Sequence, residues 1–281
     1  MRLFLIAACG MLMLVATAPV ARAQAPLVMA YPRFQPLGFF DGQHHTGYMI
    51  EHIRRLVAHI KREVIFDEQP VGRMANSVAK GHADFTIGLK WMAEFQGTTH
   101  SSPHPIDVLV LMLYTQGQAP DPDIVSGLRA WINDGYAPGI TPNPSDLAVL
   151  RGVRIAFPAG WYLGRLDLYV SDPANGVEHA LLRDVDALLG FLAAGRTDHI
   201  IEYSSSIRAS QKAHLPLALM GSEIRRSKLY ILTSMARDPD GALMEALYQA
   251  HLSFASDAAY RERVLQEGYY MPPNDLSGDP P

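Results

Sequence analysis

The side chains of this sequence that could recognise a ligand are aromatic rings and two cations near the ends of predicted strands. Rings stack on flat or apolar molecules, and a guanidinium or ammonium group neutralises an anion. A short loop and a helix start complete the set, since backbone N–H groups at a helix N-terminus can accept an anion. The candidate ligand-binding residues are Tyr31, Phe34, Phe39, Arg73, Lys90, Trp91, Gly160, Trp161, Tyr162, Tyr203 and Ser204.

Patterns that would support catalysis or metal binding are weak in this sequence. Cys9 is the only cysteine, so a metal site would need three histidines or carboxylates to converge. His100 and His104 have helical spacing, but the intervening Pro103 disfavours the helix that would align them. The run 204–206 of three serines lacks the G-x-S-x-G elbow of hydrolases. The sequence therefore predicts no catalytic residue, no metal and no cofactor.

The first 23 residues read as an export signal. Arg2 precedes an apolar run over residues 3–20, and Ala21-Arg22-Ala23 follows with the small-x-small pattern of a signal-peptidase site. An uncleaved membrane anchor is the alternative, although the run is near the lower limit for a bilayer span. We expect cleavage after Ala23. The net charge of −4 does not indicate the basic surface that nucleic-acid-binding proteins need.

Two stretches of the sequence repeat the order strand, helix, strand, helix, strand. This order predicts an α/β protein with two lobes, each a mostly parallel sheet flanked by helices. The first stretch has strands at 27–30, 64–66 and 84–87, with helices near 50–64 and 72–80. The second has strands at 153–157, 177–182 and 199–203, with helices at 161–170 and 185–194.

The two stretches share a short motif at the end of their second helix. Gly81 precedes Asp84 by three residues, and Gly195 precedes Asp198 in the same way. A glycine can take the left-handed conformation that ends a helix, and each aspartate would then open a strand.

Two strongly apolar segments, Asp107 to Thr115 and Leu229 to Met235, could cross between the lobes. They divide the exported chain into lobe one, lobe two and a Pro-rich tail. The segment 116–145, predicted to be an insertion in lobe two, would hold one short helix near residues 124–132. The predicted ranges are 1–23 for the signal peptide, 24–113 with 229–268 for lobe one, 114–228 for lobe two with an insertion at 116–145, and 269–281 for the flexible tail.

Several short motifs occur in an order that resembles a known family. They are Met29-Ala30-Tyr31-Pro32, Thr46-Gly47-Tyr48, Pro70-Val71-Gly72-Arg73 with Gly81 and Asp84, and Leu150-Arg151-Gly152-Val153-Arg154-Ile155-Ala156. The sequence resembles the bacterial extracellular solute-binding proteins of family 3, which have the type II periplasmic binding protein fold. The resemblance implies a periplasmic, monomeric, non-enzymatic receptor. Such a receptor closes its two lobes on a small solute and presents it to a membrane permease or sensor.

Two departures from the family pattern bear on the solute. Family members that bind amino acids carry an arginine about seven residues beyond the glycine matching Gly88, where this chain has Phe95. Their amino-group aspartate is replaced by Tyr203, with Glu202 beside it. A buried unpaired charge is costly, so we expect a small organic solute of aromatic or anionic character rather than a standard amino acid.

Two other functions fit the same resemblance. Some relatives are periplasmic dehydratases of cyclohexadienyl acids, which need a general acid over the leaving group; Glu94 and Glu202 are the acids near the expected cleft. The other alternative is an accessory protein whose cleft no longer binds solute. Formation of a product from an added solute would indicate the enzyme. If no solute stabilises the protein, the accessory protein is favoured.

Overall fold

The computed structural model of the protein describes residues 25–134, 144–159, 165–213 and 217–257. The predicted signal peptide and tail lie outside these ranges. The first half of the chain contains the strands β1 (Leu27–Tyr31), β2 (Phe39–Phe40) and β3 (His45–Thr46), helix α1 (Tyr48–His59), β4 (Val64–Glu68), helix α2 (Val71–Ala79), β5 (Phe85–Gly88), β6 (Thr99–Ser101), β7 (Asp107–Gln116) and helix α3 (Pro122–Asp134).

The second half continues the alternation of strands and helices. It contains β8 (Arg154–Pro158), α4 (Arg165–Ser171), β9 (Glu178–Leu182), α5 (Val185–Ala193), β10 (His199–Tyr203), α6 (Ser204–Ala213), β11 (Leu219–Ser234) and α7 (Ala242–Ala255). The two predicted β-α-β-α-β units are thus present. Residues 161–164 of the predicted 161–170 helix lie outside the described residues, and α6 has no counterpart among the predicted elements.

The main sheet runs through both lobes in the order β4-β1-β5-β11-β7-β10-β8-β9, and β6 also pairs with β11. Strands β1, β4 and β5 are parallel in one lobe, and β8, β9 and β10 are parallel in the other. The antiparallel strands β7 and β11 lie between them. The predicted fold class, two mostly parallel lobes joined by two crossing strands, is confirmed.

The second crossing strand is longer than the sequence predicted. It begins at Leu219 rather than Leu229, and its residues 219–229 pair with β7 before residues 230–233 pair with β5. The sequence does not predict this part of the strand, because the mostly polar segment 222–228 lacks an alternation of apolar residues. The lobe boundaries stay a prediction, since both crossing strands run through them.

The repeated Gly-x-x-Asp motif has the same structural role in both lobes. Gly81 and Gly195 have φ of 73° and 65°, as the left-handed ends of α2 and α5 require. Asp84 N–H donates to Val28 O at 2.8 Å, and Asp198 N–H donates to Arg154 O at 3.1 Å. Each aspartate therefore joins the start of the third strand of its unit to the first strand.

Each lobe has its own apolar core. One cluster packs Ile50, Ile53 and Leu247 of α1 and α7 against the first lobe's sheet. A second packs Leu128 of α3 and Ile155 of β8 in the other lobe. The predicted insertion thus contributes a helix, longer than the predicted 124–132, to the core of lobe two. Among the residues in the four described ranges, no helix is long and apolar enough to cross a bilayer.

Candidate functional site

A row of three side chains crosses the sheet where the two lobes meet. Tyr203 at the end of β10 pairs with Leu111 of β7, and Leu111 pairs on its other side with Arg225 of β11. Residues directly opposite each other in antiparallel strands project from the same face of a sheet. Tyr203, Leu111 and Arg225 therefore share one face at the carboxyl end of β10.

Lobe one supplies two aromatic rings to the same place. The rings of Phe34 and Tyr203 meet edge to face, with centroids 5.0 Å apart. The guanidinium carbon of Arg225 lies 5.0 Å from the centroid of the Trp91 ring. We call these five residues, Phe34, Trp91, Leu111, Tyr203 and Arg225, the waist cluster. Its rings and cation provide stacking surfaces and a positive charge from both lobes.

Trp91, Phe34 and Tyr203 were predicted from their places after strand ends, whereas Leu111 and Arg225 were not. Arg225 lies four residues before the predicted 229–235 strand, and only the pairing of β7 with both β11 and β10 brings it into one row with Tyr203. No periodic signal in the sequence marks it, because Glu223, Arg225, Arg226 and Lys228 look alike as solvated charges.

Tyr31 and Phe39 lie within lobe one. Tyr31 is buried, and its hydroxyl hydrogen-bonds His45 Nδ1 at 2.7 Å. Burial, followed by the nearby Glu68, raises the pKa of Tyr31 well above its usual value. Phe39 is half-buried on β2, 6.0 Å beneath the guanidinium carbon of Arg33. Both aromatic side chains thus support the β2–β3 hairpin.

The two predicted cations are exposed. Arg73 lies in the first turn of α2, where its backbone N–H donates to Pro70 O at 2.9 Å and its side chain has no hydrogen-bond or ion-pair partner among the described residues. Lys90 follows β5, and its Nζ lies 4.6 Å from the centroid of the Tyr230 ring. Lys90 therefore rests on the crossing strand β11 beside Trp91.

Ser204 begins helix α6 directly after Tyr203 and is half-buried. Two residues later, Ser206 Oγ donates to Gln35 O at 2.8 Å, which links α6 to the loop that carries Phe34. The loop residues Gly160, Trp161 and Tyr162 lie outside the described residues.

Glu202 projects away from the waist cluster. Its neighbours in β10 alternate between faces: Ile201 and Tyr203 pack in one core cluster of lobe two, and Ile200 packs in the other. Glu202 therefore lies on the face of Ile200, beneath α6. Its Oε1 accepts from Tyr203 N at 2.7 Å, and burial raises its pKa to about 8. A general acid facing a cleft-bound molecule needs the opposite orientation.

Phe95 fills an apolar core instead of facing a solute. It is 2% exposed and packs with Met74, Val78 and Leu232. The residue that the resemblance aligns with the family's carboxylate-binding arginine therefore lies in the lobe-one interior. Among the described residues, no group of three or more His, Cys, Asp or Glu is placed to hold a metal ion.

Comparison with known structures identifies this architecture. No protein-family model matches the sequence, and no curated protein matches it. A histidine kinase sensor domain similar to periplasmic binding proteins matches with a TM-score of 0.60 and 16% identity, over 89% of this chain and 99% of that one. This protein has the type II periplasmic binding protein fold.

Two further similar structures are solute-binding proteins. A probable amino-acid ABC transporter extracellular-binding protein from Bacillus subtilis matches with a TM-score of 0.60 and 16% identity, over 87% of this chain and 97% of that one. A Salmonella typhimurium periplasmic binding protein with high arginine specificity gives a TM-score of 0.57 and 15% identity, over 88% and 100%. The fold expected from the resemblance to solute-binding proteins of family 3 is thus confirmed.

Proposed function

We propose that this protein is a monomeric periplasmic receptor that closes on a small organic solute between its lobes. The waist cluster carries this proposal, because it brings rings and a cation from both lobes to one place on the crossing strands. A solute bound there would touch both lobes only when they are closed, which favours the closed state.

The proposed solute is not a standard amino acid. A zwitterion requires a cation for its carboxylate and an acid for its amino group, since unpaired buried charges are costly. Phe95 is buried in a core, and Tyr203 packs its ring against Phe34. These contacts support an aromatic or anionic solute, held by the rings of Phe34, Trp91 and Tyr203 and by the cation Arg225 of the waist cluster.

Other predicted residues remain proposed contacts at the rim of this site. Lys90 and Arg73 would add positive charge from lobe one, and Ser204 with the loop residues Gly160, Trp161 and Tyr162 would contact the solute from lobe two. Tyr31 and Phe39 would act indirectly, by fixing the hairpin behind Phe34.

The proposed partner is a membrane permease or a sensor that recognises the closed form. The structural neighbours include a probable ABC transporter extracellular-binding protein and a histidine kinase sensor domain, which supports either kind of partner. We propose that residues 1–23 direct the chain to the periplasm and are removed after Ala23.

Thermal stabilisation of the protein, purified from bacteria that express the whole chain, tests this proposal. A ligand present at about 100 times its dissociation constant adds about 2.7 kcal/mol to the free energy of unfolding. We expect an increase in Tm with aromatic monocarboxylates and none with simple amino acids. Intact mass and N-terminal sequencing of the same sample should show Gln24 as the first residue.

Three results would contradict parts of this proposal. No increase in Tm with aromatic acids, dicarboxylates, amino acids or lipids would refute the receptor function. A strong increase with alanine or glutamate would refute the exclusion of amino acids. Conversion of a stabilising compound into product would show an enzyme instead.

A further inference from the structure

We infer that Arg225 holds the carboxylate of the solute, with the solute's ring lying toward Tyr203 and Phe34. This inference rests on the proposed receptor function. It assigns the anion-binding role to the second crossing strand instead of to the segment after β5, and it identifies the solute class as flat monocarboxylates.

The strand register selects Arg225 from several nearby cations. Arg225 pairs with Leu111, whereas Arg226 and Lys228 pair with Val110 and Val108, which project from the other face of β7. On that other face, Arg226 Nη2 lies 2.7 Å from Glu223 Oε2. Arg225 therefore projects into the waist cluster, and the neighbouring Arg226 projects away from it.

An irregularity in β11 produces this orientation. The register shifts between Glu223, opposite Met112, and Arg225, opposite Leu111, so that β11 has one extra residue there. The extra residue, Ile224, is fully buried in the lobe-two core. Such a bulge turns the following side chain to a different face. Without it, Glu223 and Arg225 would share a face.

Trp91 makes Arg225 a suitable carboxylate receptor. The indole ring beneath the guanidinium group restricts its motion, and the planar guanidinium can then donate two parallel hydrogen bonds to a carboxylate. Lysine cannot make this bidentate contact.

The dimensions of the row favour a solute with one ring. Neighbouring strands are about 4.8 Å apart, so the Cα atoms of Tyr203 and Arg225, two strands apart, are separated by about 10 Å. A ring with a carboxylate directly attached, or one methylene away, spans this distance. The row of Tyr203, Leu111 and Arg225 contains no acid to pair with an amino group, which favours a monoanion over a zwitterion.

Binding of matched acids and amides to three variants tests the inference. The probes are benzoate and phenylacetate, with benzamide and phenylacetamide as their neutral counterparts, measured by calorimetry. We expect the wild-type protein to bind each acid at least tenfold more tightly than its amide. Arg225→Gln should lose at least tenfold in affinity for the acid and little for the amide. Arg226→Gln should retain the wild-type affinity within about twofold.

Arg225→Lys provides a second measurement that keeps the positive charge and the apolar stem. We expect it to fold as the wild type does and to bind the acids several-fold more weakly, because the bidentate contact is lost. If Arg225→Gln fails to fold, the acid affinity of Arg225→Lys alone tests whether Arg225 binds the carboxylate.

The outcomes separate this inference from the receptor function. Equal acid affinity in the wild type, Arg225→Gln and Arg225→Lys would overturn the role of Arg225 and leave the receptor function intact. If the wild type binds none of the four probes but is stabilised by another solute, the monocarboxylate class is wrong. If no solute stabilises the protein, both proposals are refuted.

Discussion

At the scale of single residues, Glu202 is a carboxyl group that the fold keeps out of water. It is 1% exposed, and burial raises its pKa from 4.5 to about 8. The folded protein therefore holds the proton to a higher pH than the unfolded chain does. The protonated state favours folding most fully below about pH 4.5, and this contribution is lost as the pH rises through about 8.

Replacing Glu202 with glutamine should remove this pH dependence, because the amide keeps the shape and does not ionise. We expect Glu202→Gln to raise the free energy of unfolding at pH 8 by about 1–3 kcal/mol, and to change it little at pH 4.5. Urea unfolding at the two pH values measures the difference. Glu63→Gln, at an exposed position, is the control. An equal effect of Glu202→Gln at both pH values would contradict the prediction.

At the scale of elements, two buried histidines join helices α1 and α7. His52 Nε2 lies 3.0 Å from His251 Nδ1, and their rings meet edge to face. Burial lowers the pKa of His52 to about 3 and that of His251 to about 4; the charge of His251 lowers the pKa of His52 further. Both histidines are thus neutral in the folded protein, and one donates a hydrogen bond to the other.

This pair should make the protein sensitive to acid. The contribution of two neutral histidines is complete above about pH 6.5 and is lost as the pH falls through about 4, because the unfolded chain binds the protons more readily. We expect His251→Gln to reduce the fall in unfolding free energy between pH 6.5 and 4.5 by about 1–2 kcal/mol. Chemical denaturation at several pH values measures this fall.

The matched control is His82→Gln, at an exposed position in the turn after α2. It should leave the slope of stability against pH unchanged. Identical slopes for His251→Gln and the wild type would show that the histidine pair does not control acid unfolding.

At the scale of the whole molecule, Tyr203 and Ser206 of lobe two contact lobe one. Tyr203 packs against apolar clusters of both lobes, and Ser206 Oγ donates to Gln35 O across the junction. Contacts that exist only when the lobes are together set the balance between open and closed states.

Ser206→Ala should shift this balance toward the open state. A hydrogen bond contributes about 1 kcal/mol, which corresponds to a change of about fivefold in the ratio of closed to open molecules. We expect a larger radius of gyration in small-angle X-ray scattering of the solute-free variant. Ser205→Ala, one residue earlier in the same helix, should match the wild type. A radius for Ser206→Ala equal to that of Ser205→Ala would refute the role of this contact.

The sequence alone determined the parts of the protein that depend on local patterns. Apolar periodicity predicted the strands and helices of both α/β units, and the glycines at 81 and 195 predicted where α2 and α5 end. These features depend only on a residue and its neighbours in sequence, because side-chain spacing determines the type of element and the backbone preference of glycine determines where a helix ends.

Only the tertiary structure decided which residues meet at the waist. Tyr203, Leu111 and Arg225 are far apart in sequence, and a bulge at Ile224 sets the face from which Arg225 projects. Strand register arises from pairing across the whole sheet, and a slip of one residue would turn each side chain to the other face. For that reason the sequence predicted Phe34, Trp91 and Tyr203 as candidates, whereas Arg225 emerged only when the strands were paired.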